Sequence, residues 1–129
     1  MSDADVSPVA QIELRFPGSP EYLRLARLTA ADAGTRVGLD YDEVEDLRIA
    51  VSELCAMVAS GGAEVTLRFT LGPGSVTVAG HGPGVPEAEG SEMARALVAA
   101  VVDDHHIEIG GRGTAFRITK AHHHDEASR

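Results

Sequence analysis

Between Asp40 and Ser60 the chain reads DYDEVEDLRIAVSELCAMVAS, a stretch compatible with little other than an amphipathic helix. Val44, Leu47, Val51, Leu54 and Val58 recur at alternating steps of three and four, which draws one apolar stripe along a helix. Asp40 is a favourable N-cap, and Glu43 three residues later can complete a capping box. Asp42, Glu43, Glu45 and Asp46 crowd the first turns, where the helix dipole favours negative charge. Glu53 lies off the stripe, one turn after Ile49 and one turn before Met57.

The flanking segments set the rest of the architecture. Ile12, Leu14 and Phe16 alternate with Glu13 and Arg15, which predicts a half-buried strand ended by Pro17-Gly18. Ser19-Pro20 then opens a helix whose inner face carries Leu23, Ala26, Ala30, Ala33 and Val37, with Gly38 closing it. The alanines on that face predict close packing, with the Asp40 helix as the natural neighbour. After Gly61-Gly62 the period changes to two: Val65, Leu67, Phe69 and Leu71, a Gly-Pro-Gly turn, then Val76 and Val78. This is the pattern of an antiparallel hairpin. Gly80-His81-Gly82-Pro83-Gly84 reads as a loop, 87–92 as an acidic loop running into a helix over 91–102, and 104–109 with 114–120 as a closing pair of strands. The expected order is strand, helix, helix, strand, strand, helix, strand, strand. That order predicts a two-layer α+β sandwich: a mixed, mainly antiparallel sheet of about five strands, covered on one face by about three helices.

One globular domain accounts for 129 residues, with no repeat and no internal boundary. Residues 1–9 read as a flexible arm, 10–120 as the domain and 121–129 as a flexible tail. No segment has the length and apolarity to span a membrane, and MSDADVSP lacks the plan of a signal peptide, so the expected location is the cytoplasm. A net charge of −9 disfavours direct nucleic-acid binding. Cys55, the single cysteine, falls inside the apolar helix and reads as an inert core thiol.

The order of elements, together with EVEDLRIAVSELC, AGHGPGVP and GGRGTAFRITK, resembles the GHKL (Bergerat-fold) histidine-kinase-like ATPase domain over roughly residues 10–120. Within that family it is most similar to the bacterial anti-sigma factor serine kinases of the sporulation and general-stress type. The resemblance implies an ATP- and magnesium-binding cleft, a sigma factor and a phosphorylatable anti-sigma factor antagonist as partners, and a homodimer. It makes Glu53 the counterpart of the catalytic glutamate. The family's magnesium-ligating asparagine falls on Met57, whose soft thioether is a poor substitute for an oxygen ligand. The adenine-binding aspartate falls on Gly80, while Gly82 and Gly84 keep the glycines that follow it. The phosphate-binding glycine stretch falls on Glu87–Met93, which holds one glycine and three glutamates. Thr114 keeps the family's threonine, which supports the adenine side.

The expectation is therefore a retained scaffold with its ATP chemistry lost, requiring no cofactor and acting by binding partners. Two alternatives stand beside it: an active protein-serine kinase using Glu53, and a small-ligand sensor whose emptied cleft is lined by Met57, Ile49 and Gly80. Asp103-Asp104-His105-His106 and His122-His123-His124-Asp125 flank the closing strands and could approach each other. They read as solvated side chains, not as a metal site.

Overall fold

A computed structural model describes residues 10–123. The elements follow the expected order: β1 (Ala10–Pro17), α1 (Pro20–Arg36), α2 (Tyr41–Val58), β2 (Glu64–Gly72), β3 (Ser75–Gly82), α3 (Ala88–Val101), β4 (Asp104–Gly110) and β5 (Gly113–Ala121). The strands form one sheet in the order β1-β2-β3-β5-β4, and every pairing is antiparallel. The expected arm at 1–9 and the tail beyond His123 lie outside the described residues.

Alternation decides which face of the sheet is covered. In register across the strands run Leu14, Leu67, Gly80, Phe116 and Ile107, and beside them Ile12, Phe69, Val78 and Ile118. These residues face the helices: α1 crosses β1, β2 and β3, α2 lies over β3 and β5, and α3 meets β4. The opposite face presents Glu13, Arg15, Arg68 and Arg117 to solvent. Phe69, Leu47, Leu54, Leu67 and Ile118 are among the largest fully buried side chains, each stabilising by about 1.5–3 kcal/mol relative to exposure.

The alanine face of α1 does what its composition predicts. Ala26, Ala30 and Ala33 are buried, and Gly34 lets Leu39, Val44 and Leu47 approach its backbone. Gly38, with φ +95°, supplies the left-handed step after the helix. Cys55 is fully buried, and burial pushes its thiol up to about 12.

Two boundaries differ from expectation. β3 runs on through Gly80, His81 and Gly82, so these residues are strand and not loop. Helix α3 begins at Ala88, so most of the expected acidic loop is its first turn.

The start of α2 is fixed twice. Asp40 Oδ1 accepts from Glu43 N at 2.8 Å, and Glu43 Oε1 accepts from Asp40 N at 2.9 Å, completing the capping box. The residues that follow β5 then dock on the same carboxylate. His122 Nδ1 lies 2.8 Å from Glu43 Oε1, and His123 N donates to Glu43 Oε2 at 2.9 Å. Asp103 grips the other side, accepting from Ala121 N at 2.8 Å and pairing with His123 Nε2. Residues 121–123, expected to be a loose tail, are thus held by two carboxylates.

Burial alone would raise the Glu43 pKa. The hydrogen bonds from Asp40 N, His122 and His123 N outweigh it and lower the value from 4.5 to about 2. A depressed carboxylate pKa stabilises the fold above pH 4.5, and that contribution is lost as pH falls towards 2. The shift corresponds to about 3 kcal/mol. Urea unfolding of the native chain should therefore lose roughly that much more stability between pH 5 and pH 2 than unfolding of Glu43→Gln. Equal pH dependence in the two proteins would refute the account.

Candidate functional site

The residues that the resemblance assigns to one nucleotide site are distributed by the structure over separate environments. Glu53 is half-buried on α2 and lines a cavity of about 230 Å³ with Arg27 of α1 and with Glu45, Arg48, Ile49 and Ser52. Arg48 is held by Glu45 through two contacts, at 2.8 and 2.9 Å. Met57, one turn beyond Glu53, is only 6% exposed and belongs to the hydrophobic core. Neither Met57 nor any of Gly80, Gly82 and Gly84 lines the cavity beside Glu53.

Gly80 stands in the middle of the covered face, paired with Leu67 on one side and Phe116 on the other. Those two side chains occupy the space a residue at 80 would need. A Cβ there would lie 2.6 Å from Leu67 Cδ2 and 2.7 Å from Phe116 Cζ. No aspartate can enter from this position without displacing the core. His81, next along the strand, is exposed on the opposite face, as alternation requires.

Gly82 and Gly84 answer a different demand. The segment leaving β3 crosses the C-terminal end of α2 so closely that a Cβ at 82 would lie 2.4 Å from the Val58 carbonyl oxygen. A Cβ at 84 would lie 2.5 Å from Ala59 O and 2.6 Å from Met57 O. The contact is productive, because Gly84 N donates to Val58 O at 2.8 Å and so satisfies a carbonyl at the helix end. Thr114, buried on β5, donates its hydroxyl to Gly84 O at 2.7 Å and holds the crossing in place. Backbone thus fills the approach to these glycines from α2. Gly82 and Thr114 do share an open cleft of about 620 Å³, but its other walls are His81, Glu108, Ile109, Gly110, Gly113 and Ala115.

The segment matching the phosphate-binding stretch forms the start of α3. Glu87 is its N-cap residue without a side-chain capping bond, and Glu89 and Glu92 are exposed. Ser91 turns its hydroxyl back to Ala88 O at 2.9 Å. Three carboxylates at this end oppose a polyanion, whatever the helix dipole offers.

Met57, Ile49 and Gly80 do not line one cavity: Met57 is in the core, Ile49 borders the Glu53 cavity, and Gly80 borders a separate one on the solvent side of the sheet. The two histidine-containing clusters do approach each other, at one contact, where His123 pairs with Asp103. The tail histidines reach Glu43 and Asp103, whereas His106 pairs with Glu108 at 3.4 Å. The cluster of Asp40, Glu43, Asp103, His122 and His123 was only half visible in the sequence. The capping box marked one half, but a histidine run at a chain end gave no sign of its partners.

Among the described residues, no helix is long and apolar enough to cross a membrane. Residues 16–120 match the model of the histidine kinase-like ATPase domain. Over 64 residues the chain is 44% identical to the serine-protein kinase RsbW of Bacillus subtilis, covering 45% of this chain and 40% of that protein. It is 40% identical over 67 residues to RsbW of Bacillus velezensis, covering 47% of this chain and 42% of the relative. The matches span less than half the length of these curated relatives. A crystal structure of the RsbU and RsbW domains of Rv1364c from Mycobacterium tuberculosis superposes with a TM-score of 0.65 at 18% identity, over 88% of this chain and 33% of that one, a likeness of fold. With most of its length matched by the family model, the chain belongs to the histidine kinase-like ATPase domain family.

Proposed function

We propose that this protein is an anti-sigma-factor-like regulatory module, which binds a sigma factor and the antagonist that competes for it, without using nucleotide. The proteins named serine-protein kinase RsbW among its relatives support the regulatory setting. The observation that carries the loss of nucleotide chemistry is the packing at Gly80. Leu67 and Phe116 fill the position from which the family's aspartate reads adenine. Met57 in the core and three glutamates at the start of α3 point the same way. The residues present do not fit magnesium–ATP, so no phosphoryl-transfer step is assigned to them. Regulation then lies in competition between partners in the cytoplasm, with a homodimer as the proposed binding unit.

A second reading, an active serine kinase, draws on one feature: Glu53 is half-buried in a polar cavity beside Arg27. A kinase would transfer label from ATP to the antagonist in the presence of magnesium or manganese, and Glu53→Ala would abolish the transfer.

Thermal melting with millimolar magnesium–ATP or magnesium–ADP separates the readings. Saturation at about a hundred times Kd stabilises a protein by about 2.7 kcal/mol, several degrees for a domain of this size. No shift is expected, and a shift of several degrees would overturn the proposed loss of nucleotide. Gly80→Asp should lower stability by more than about 3 kcal/mol in urea unfolding, without creating nucleotide binding. Affinity capture with the immobilised native protein should recover a sigma factor or an antagonist. Recovery of neither class would count against the regulatory reading.

A further inference from the structure

We propose that Asp40, Glu43 and His122 form a binding site for a zinc-class transition metal ion, separate from the family's nucleotide region. One ligand atom from each of the three side chains lies within 4.8 Å of the other two, although 79 positions separate Glu43 from His122. Glu43 is 8% exposed, so one donor is presented from a protected position, while Asp40 and His122 sit at the surface and leave an entry path.

Charge balance points to a cation. Asp40 and Glu43 bring two carboxylates together. Among the described residues, no lysine or arginine forms an ion pair with either. Of the three side chains, His122 alone can carry positive charge, and its imidazole is neutral when it acts as a metal ligand. Two carboxylates side by side, which among the described residues otherwise accept from backbone N–H groups, make a good seat for a divalent ion.

Donor chemistry selects the metal. One imidazole nitrogen with two carboxylate oxygens suits zinc, which accepts nitrogen and oxygen ligands at about 2.0–2.2 Å in a tetrahedron completed by water. Magnesium prefers an octahedron of oxygens and gains little from the imidazole. Tetrahedral ligands at those lengths are separated by about 3.4 Å. His122 Nδ1 and Glu43 Oε1 are now 2.8 Å apart, so an opening of less than an ångström would admit the ion between them. Asp40 can turn its second oxygen towards the site, since Oδ1 is the atom that caps Glu43 N. His123 N, which donates to Glu43 Oε2 at 2.9 Å, is an outer partner that orients this ligand. A bound ion would tie the segment after β5 to the first turn of α2.

The test is titration of the metal-free 129-residue chain with zinc chloride by calorimetry, followed by thermal melting. One zinc per chain is expected to bind with dependence on His122, raising Tm by several degrees, and magnesium chloride should give no shift. His122→Gln, which leaves the capping box intact, should weaken zinc binding at least tenfold, whereas His105→Gln and His124→Gln should bind like the native chain. No zinc binding by the native chain, or equal affinity in His122→Gln, would overturn the proposal. A melt of His122→Gln without metal establishes that this variant is folded. Failure of this site would leave the regulatory reading untouched, because neither the partner capture nor the nucleotide melt depends on zinc.

Discussion

Helix α2 is pinned at both ends by chain segments that arrive from far away in sequence. At its start, the buried Glu43 carboxylate is shared between the capping box and the backbone of His123. At its other end, the Val58 carbonyl is taken by Gly84, whose own carbonyl is held by Thr114. A helix terminus leaves several backbone groups without partners, and a buried one must find them somewhere. Here α2 finds them in the sheet's connections, so its ends depend on tertiary structure as much as its apolar stripe does. Helices α1 and α3 pack around it, and the covered face of the sheet is built to receive it.

That arrangement gives the glycines of the family pattern a packing role of their own. The glycines at 82 and 84 let a strand end cross a helix end at carbonyl contact distance, a need that persists whether or not a ligand is bound. Glu53 also keeps its place on α2, one turn from Ile49 and from Met57. Met57 turns into the core, and Leu67 and Phe116 close over Gly80. Fold and site answer to different physical demands, and family membership speaks for the first.

Most of the fold was legible because burial here follows simple periods. The hairpin of β2 and β3 was readable from Val65 to Val78, where every second residue is apolar. The capping box at Asp40 was readable because it is local chemistry. The continuation of β3 was not: Gly80 and Gly82 carry no side chain to show alternation, and glycine-rich segments read as loops. The first turn of α3 was missed for a similar reason, with Glu89 and Gly90 giving no apolar period. The spacing of Glu53 and Met57 was visible, but which of them is buried is settled by neighbours far along the chain. The docking of His122 on Glu43 is a long-range event between a local cap and a polar tail, and no local pattern encodes it.

Lys120 has a part in specifying the structure as well as in holding it. It is 7% exposed at the end of β5, and its ammonium donates to Asp46 Oδ2 at 3.1 Å and to the carbonyl oxygen of Val101 at 2.8 Å. Sliding β5 by a single residue would exchange its two faces. Lys120 would turn to solvent, and Arg117 and Thr119 would turn inward, into the apolar surroundings that Phe116 and Ile118 now occupy. A hydrophobic residue at 120 would pack but would discriminate less sharply between the two alignments. The buried lysine thus acts as a registration mark for the strand that joins β3 to the edge of the sheet, and it favours one pairing by making its neighbour electrostatically untenable.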